Sequence, residues 1–305
     1  MDRQPIRIAH SPDADDRFMF WPLRSGALGN HPFDFEFVEA DTQTLNNLAS
    51  AGTFDIIAVS AAYYPYISNT YQPMRMGASV GAGYGPVLVT LDPLSESLGH
   101  SPVPASAFVG DDWLLLSPGP QTTAHNALAA LGYQFGNHIA VSISPVNLVF
   151  QELAAWTKRR MLESKDNSSR VAALLIHEGR LIYEKQGARL LLDLGAAWQE
   201  RWGRNLPLGI NVIRRSLPQS QRQQLSDLLR ASFAFASANR ESFLGSAGSA
   251  GALDAAELDH YLELYANDTT YDIHPDDKAA FDHLLQVTSK EQQRSTGAQI
   301  QADWI

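Results

Sequence analysis

The stretch Val171-Ala-Ala-Leu-Leu-Ile176-His177-Glu-Gly-Arg180 runs six apolar residues into an abrupt polar cluster. An uninterrupted apolar run of this kind predicts a strand buried on both faces, as in sheets sandwiched between helices. The polar residues then read as the turn that opens the next helix. The same pattern recurs at Ile6-Arg-Ile-Ala before His10-Ser-Pro-Asp-Ala-Asp-Asp16, at Ile56-Ile-Ala-Val before Ser60, and at Leu114-Leu-Leu before Ser117-Pro-Gly-Pro-Gln-Thr-Thr123. In open α/β sheets, ligands bind beyond the carboxyl ends of strands, where such turns collect. The clusters therefore predict one shared small-molecule site, with His177 as its residue for proton chemistry.

Outward from these runs, strand-like and helix-like segments alternate over most of the chain, which predicts α/β architecture with largely parallel sheets. Phe18 to Leu28 reads as a helix ended by Gly29, and Phe33-Asp-Phe-Glu-Phe-Val38 as a strand with one wet face. Asp41 to Gly52 reads as a capped helix leading into the strand at Ile56. The loop Gly77-Ala-Ser-Val-Gly-Ala-Gly-Tyr-Gly85 and the later strand Pro207 to Ile213 suggest two crossings between domains. They predict an outer domain at 1–87 and 212–305 and an inserted domain at 88–211. Asp92 to Asp112, Lys158 to Arg170 and Gly245 to Gly251 read as surface excursions. From Gln219 onward helical spacing dominates, through Leu225, Leu229 and Phe233, then Leu258, Tyr261, Leu262 and Tyr265, then Phe281, Leu284 and Leu285. These helices are expected to pack on the outer domain's sheet.

Composition narrows the function. The 305 residues are 45% hydrophobic and 18% charged, with a net charge of −10 and no cysteine. Without cysteine there is no disulfide, thiolate nucleophile, zinc–thiolate site or iron–sulfur cluster. The acidic balance, with no dense basic stripe, argues against a nucleic-acid partner. No apolar run approaches the roughly 20 residues needed to cross a bilayer. The start, Met1-Asp-Arg-Gln-Pro-Ile-Arg7, lacks the apolar stretch of a signal peptide. The expectation is a cytoplasmic protein, monomer or homodimer, with small-molecule rather than membrane partners.

Each candidate residue also has a plainer reading. The His177 imidazole would emerge beside the next helix's amino terminus, a place that favours the neutral base. The plainer reading is a hydrogen-bonded structural histidine. Gln121-Thr122-Thr123 opens a helix after a Pro-Gly-Pro turn, where N–H groups and hydroxyls suit a carboxylate or phosphate. Thr122 or Thr123 as an ordinary helix cap needs no ligand at all. Asp13, Asp15 and Asp16 lack the glycine and terminal glutamate of a calcium loop, so helix capping by Asp15 or Asp16 explains them better than a metal. Gly77-Ala-Ser79-Val-Gly81 matches the nucleophile-elbow pattern but has a strand where that motif needs a helix. Tyr63, Tyr64 and Tyr66 offer rings to a flat ligand or serve as core.

Taken in order, these clusters resemble the menaquinone-biosynthesis family of the futalosine pathway. The resemblance runs through Ser11, Pro12 and Asp16, then Thr44-Leu45-Asn46, Ser60-Ala-Ala-Tyr63, Gly85-Pro86 and Thr122-Thr123-Ala124. It continues through Ile176-His177-Glu178 with Arg180 and Tyr183, Asp193-Leu-Gly195, Trp198-Gln-Glu200 and Leu206-Pro-Leu-Gly209. It implies a two-lobed, periplasmic-binding-protein-like fold of type II, with mixed sheets flanked by helices and the ligand in a cleft between lobes. It also implies a cofactor-free lyase reaction that converts cyclic dehypoxanthine futalosine, an anionic, nucleoside-derived substrate, to 1,4-dihydroxy-6-naphthoate. On that resemblance His177 is the catalytic base, and Ser60, Thr122, Thr123, Asn46, Ser11 and Gln121 contact the substrate. The family's usual first turn, Ser-Pro-Cys-Pro-Asn-Asp-Thr, is replaced here by Ser11-Pro-Asp-Ala-Asp-Asp-Arg17. Gln121 stands where His or Asn is common. A non-catalytic solute-binding protein of the same fold is the main alternative, and a chorismate-dehydrating sister enzyme a third.

Overall fold

Strand β1 (Gln4–His10) forms the spine of the first sheet because Ile6, Ile8 and Ala9 are wholly buried between parallel neighbours β2 (Phe33–Glu39) and β3 (Ile56–Ser60). The computed structural model describes residues 4–93, 99, 101–108, 112–142, 145–163, 170–247, 253–289 and 302–305. The chain divides into two units, Met1–Val80 with Pro207–Ile305, and Gly81–Leu206. One is thus inserted into the other in sequence. The crossings between these units lie within the glycine loop and at the start of β11. The strand after Gly85 belongs wholly to the inserted unit's sheet, and the strand around Pro207 to the other.

In the first unit, β1 leads through α1 (Ala14–Arg24), β2, α2 (Thr42–Ser50), β3, α3 (Tyr64–Ile67), β4 (Tyr71–Pro73) and β5 (Ser79–Gly81). Helix α1 begins four residues before the expected Phe18, so Asp15 and Asp16 occupy its first turn, where carboxylates oppose the positive end of the helix dipole. It ends at Arg24, and Gly26 turns the chain at φ 73°. Asp41 caps α2 as read from sequence, accepting the Thr44 N–H at 3.0 Å.

The inserted unit runs β6 (Val87–Thr90), β7 (Trp113–Ser117), α4 (Thr123–Ala130), β8 (Asn137–Ala140), α5 (Asn147–Glu163), β9 (Arg170–Leu175), α6 (Gly179–Ile182), β10 (Arg189–Asp193) and α7 (Leu194–Trp202). Its sheet order is β10-β6-β9-β7-β8. Leu114–Leu116 and Val171–Leu175 are fully buried, as their unbroken apolar runs demand. Two expected excursions are partly ordered structure. Helix α5 continues through Glu163, and Val103 and Phe108 are buried, with Phe108 4.9 Å from the Trp113 ring. Residues 94–98, 100, 109–111 and 164–169 of those stretches, and 248–251 of the third, lie outside the described residues.

The chain then returns through β11 (Leu206–Arg214) and α8 (Gln219–Ala238), α9 (Arg240–Ala247), α10 (Ala255–Tyr265), α11 (Asp268–Tyr271) and α12 (Pro275–Thr288). The first unit's sheet order is β2-β1-β3-β11-β4, with β5 also on β11. The sheets are mixed, as the family resemblance implies: β1, β2 and β3, and β7, β8 and β9, are parallel, while β11 runs against β3 and β4, and β6 runs against β9 and β10. Each is the strand on which the chain enters its sheet after a crossing. The late helices pack mainly on α1 rather than directly on the sheet: the Ser232 hydroxyl donates to the Met19 carbonyl at 2.7 Å, and the rings of Phe233 and Phe243 meet Phe18 edge-on. Asp303–Ile305 lies along β4, with the Arg75 amide donating to Ile305 and the Ile305 amide to Pro73.

Candidate active site

In the inserted unit, β7, β8, β9 and β10 all point the same way, and β6 starts at the edge where they end. That edge gathers Tyr84-Gly85 before β6, Ser117 to Thr123 after β7, His177 after β9 and Asp193 at the end of β10. Strands β7 and β9 are neighbours, with Leu116 beside Ala173, so the threonine turn and the histidine turn issue from adjacent strands.

His177 is half-buried, and its φ of 51° makes it the one non-glycine residue with positive φ among the described residues. Left-handed backbone at a side-chain-bearing residue is sparsely populated and clusters at functional sites. The helix expected after it is a single turn, α6, too short for the terminal field the sequence suggested. The Arg180 amide donates to the His177 carbonyl at 3.2 Å and closes that turn.

The other turn is built around Ser117, which is wholly buried at the end of β7. Its Oγ accepts the Gly119 N–H at 3.2 Å and meets His138 Nε2 at 2.7 Å. Gly119 takes φ 129°, which its missing Cβ permits. Thr122 caps α4: its hydroxyl donates to the Gly119 carbonyl at 2.8 Å and accepts the His125 N–H at 3.3 Å. The plainer reading of Thr122 is therefore the one its hydroxyl follows, and a carboxylate here would meet the amino end of α4. Thr123 is buried beside it, and Gln121 is half-buried just before the cap. The His125 and His138 rings lie 4.8 Å apart. Burial, and then the His138 charge, hold His125 down to about 4.

In the first unit, β1, β2 and β3 end at one edge, where the pairing of β11 with β3 begins with Gly209 opposite Ser60. Asn46 and Ser60, both buried, form a closed pair: Asn46 Nδ2 donates to Ser60 Oγ at 3.1 Å, and the Ser60 N–H to Asn46 Oδ1 at 3.0 Å. Ser11 is buried at the end of β1, its amide donating to Asp16 at 2.8 Å and its hydroxyl accepting the Asp13 N–H at 3.3 Å. His10 donates from Nδ1 to the Ser11 carbonyl at 2.6 Å, so Nε2 accepts from Arg24 at 2.7 Å and the ring is neutral. Burial, helped by Arg24, lowers its pKa to about 4.

The acidic turn does not behave as sequence suggested. Asp13, not Asp15 or Asp16, holds the cap position of α1, and its side chain makes no capping bond. Asp16 reaches back to Ser11, and Asp15 accepts the Tyr261 hydroxyl at 3.0 Å. Burial raises Asp13 to about 6, against a hydrogen bond with Ser11. No group of metal-ligating side chains is found among the described residues. Of the tyrosines, Tyr64 is core, whereas Tyr66 is 64% exposed and stacks on Tyr63.

Sequence reasoning did not find the Ser117–His138 contact or the His10–Arg24 contact. Each joins residues from different elements, and no local motif announces them.

The family described as menaquinone biosynthesis matches residues 6–290. The chain belongs to the menaquinone biosynthesis family. Among curated members, the 1,4-dihydroxy-6-naphtoate synthase of Thermus thermophilus is 30% identical over 241 residues, 79% of this chain and 78% of that protein. The enzyme of the same name from Streptomyces coelicolor is 27% identical over 296 residues, 95% of each. A crystal structure of an Archaeoglobus fulgidus protein is 30% identical, with TM-score 0.79, over 94% of this chain and 98% of that one. The periplasmic aliphatic sulphonate binding protein of Escherichia coli has TM-score 0.59 at 11% identity, over 97% and 90% of the two chains. This member of the menaquinone biosynthesis family thus has the periplasmic-binding-protein-like fold.

Proposed function

We propose that this chain is a 1,4-dihydroxy-6-naphthoate synthase, a carbon–carbon lyase of the futalosine route acting on cyclic dehypoxanthine futalosine. The observation that carries the reading is His177: a half-buried imidazole on strained, left-handed backbone, one strand away from Thr122 and Thr123. The curated relatives, named as synthases of that naphthoate, support the product, and the substrate is the one the family resemblance implies. His177 takes a proton from the substrate as general base. The bond to be broken lies beside a carbonyl that can accept its electron pair, so the reaction draws on no cofactor. Thr123 and Gln121, at the amino end of α4 that Thr122 caps, hold the carboxylate. No helix among the described residues is long and apolar enough to cross a membrane, and we place the reaction in the cytoplasm.

The test is steady-state turnover of cyclic dehypoxanthine futalosine by the wild-type chain and by His177→Gln. The variant is expected to lose about 10²- to 10⁴-fold in kcat, the usual contribution of a positioned base. A variant as fast as wild type removes His177 from catalysis. A second reading, a non-catalytic solute binder, is favoured by the likeness to sulphonate-binding proteins and by the altered first turn. Tight binding of the substrate with no turnover by wild type would select it.

A further inference from the structure

The left-handed backbone of His177 is unfavourable for a residue with a Cβ, so the surrounding structure must hold it there. We infer that Arg180 is a positioning residue for His177, fixing the turn that carries the imidazole through a clamp on Asp193 and Gly85. The inference rests on the proposed role of His177 as base.

Three features support it. First, Arg180 is bonded to the histidine turn itself, since its amide donates to the His177 carbonyl. Second, its side chain is anchored elsewhere. Nη1 donates to Asp193 Oδ2 and to the Gly85 carbonyl, each at 2.6 Å, and the guanidinium lies over the Tyr84 ring at 5.5 Å. Both partners of the ion pair are only 18% exposed, so the charge-assisted bonds are little screened by water. Third, the anchor is rigid. The other Asp193 oxygen accepts the Gly195 and Ala196 amides at the start of α7. Gly195 packs so tightly on Tyr84 that a Cβ there would sit 2.0 Å from the Tyr84 carbonyl. Arg180 therefore ties the exit of β9 to a fixed corner made by the entry of β6 and the exit of β10. Both bonds leave one nitrogen, Nη1, so what a lysine ammonium lacks here is the guanidinium plane that lies over Tyr84.

The experiment uses the full chain with Arg180→Lys, Arg180→Ala and Asp193→Asn. Turnover of cyclic dehypoxanthine futalosine is expected to fall about 10- to 100-fold in kcat with KM little changed, the scale of a misplaced catalytic group. Guanidinium ion should restore part of the Arg180→Ala loss and none of the loss in His177→Gln. In parallel, the side-chain resonances of His177 in histidine-labelled protein should move in each variant. Folded variants with wild-type kcat and unmoved His177 resonances overturn the inference. If Arg180→Ala does not fold, the Lys and Asn variants decide it by the same readouts. Should wild type itself show no turnover, the proposed function fails, while the His177 resonances still decide whether the clamp positions the ring.

Discussion

Asp13 at neutral pH is a carboxylate in a place that disfavours charge. Burial raises its pKa from the ordinary 3.8 to about 6, with Glu39 and Asp41 adding to the rise and Ser11 and Arg17 opposing it. Between those values the folded state binds the extra proton, so this group's contribution falls as pH rises through 6 and is fully adverse above it. His10 works the other way. Its value is lowered from 6.5 to about 4, so its contribution is complete above 6.5 and is lost as pH falls toward 4. Asp13→Asn should raise the urea midpoint at pH 7.5, by roughly 1–3 kcal/mol in stability, and leave it unchanged near pH 4. The same variant should steepen the loss of stability between pH 6.5 and 4, because the opposing group is gone. At this scale the candidate residues His177, Ser60, Thr122 and Thr123 were legible as polar residues at the ends of apolar runs. What they touch was not. The Asn46–Ser60 pair spans two elements, and the Arg180–Asp193 clamp exists only because β10 and β9 both flank β6. That order is decided by sheet assembly, not by neighbours in sequence.

Two glycines separate the cost of a close approach from that of backbone conformation. Gly195 has no room for a side chain against Tyr84, whereas Gly26 has nothing within 4 Å but takes φ 73°. Gly195→Ala should therefore lose about 3 kcal/mol or more, since rigid backbone must move. Gly26→Ala should lose only about 1 kcal/mol, the usual penalty of a left-handed residue with a Cβ. Thermal unfolding of the two variants beside wild type checks the order, and equal losses would contradict it. Most elements were legible from apolar spacing and caps, as with the alternating Phe33, Phe35 and Phe37 of β2 and the Asp41 cap of α2. The start of α1 was missed because its first turn is acidic and polar, without the apolar spacing that marks the rest. The reversed direction of β6 and β11 could not be read from the residues, because nothing local encodes strand direction, and the mixed sheets followed only from the family resemblance.

Across the whole chain, one late segment seals an otherwise open sheet edge. Strand β4 is the last in its sheet among the described residues, and Ile305 bonds to Pro73 in it and to Arg75 just beyond it. Arg215 donates to the Asp303 carboxylate at 2.7 Å, and the Trp304 ring meets Phe281 at 5.0 Å. Removing residues 302–305 should cost a few kcal/mol, the scale of the five hydrogen bonds lost, each worth about 0.5–1.5 kcal/mol. It should also leave β4 able to pair with another chain, seen as self-association in sedimentation. No loss of stability and no association would show that the segment merely rests there. The glycine loop and β11 each straddle a passage between the two units, so a break in sequence pattern at either gives no sharp border. The insertion imposes an order on synthesis. β3 needs β11 as its second partner, yet β11 leaves the ribosome only after all of Gly81–Leu206 has been made. At about 5–20 residues per second, the nascent first sheet waits on the order of 10 s with one flank bare. The interrupted half of this polypeptide, rather than the contiguous half, is thus the part that a ribosome-associated chaperone would need to shield.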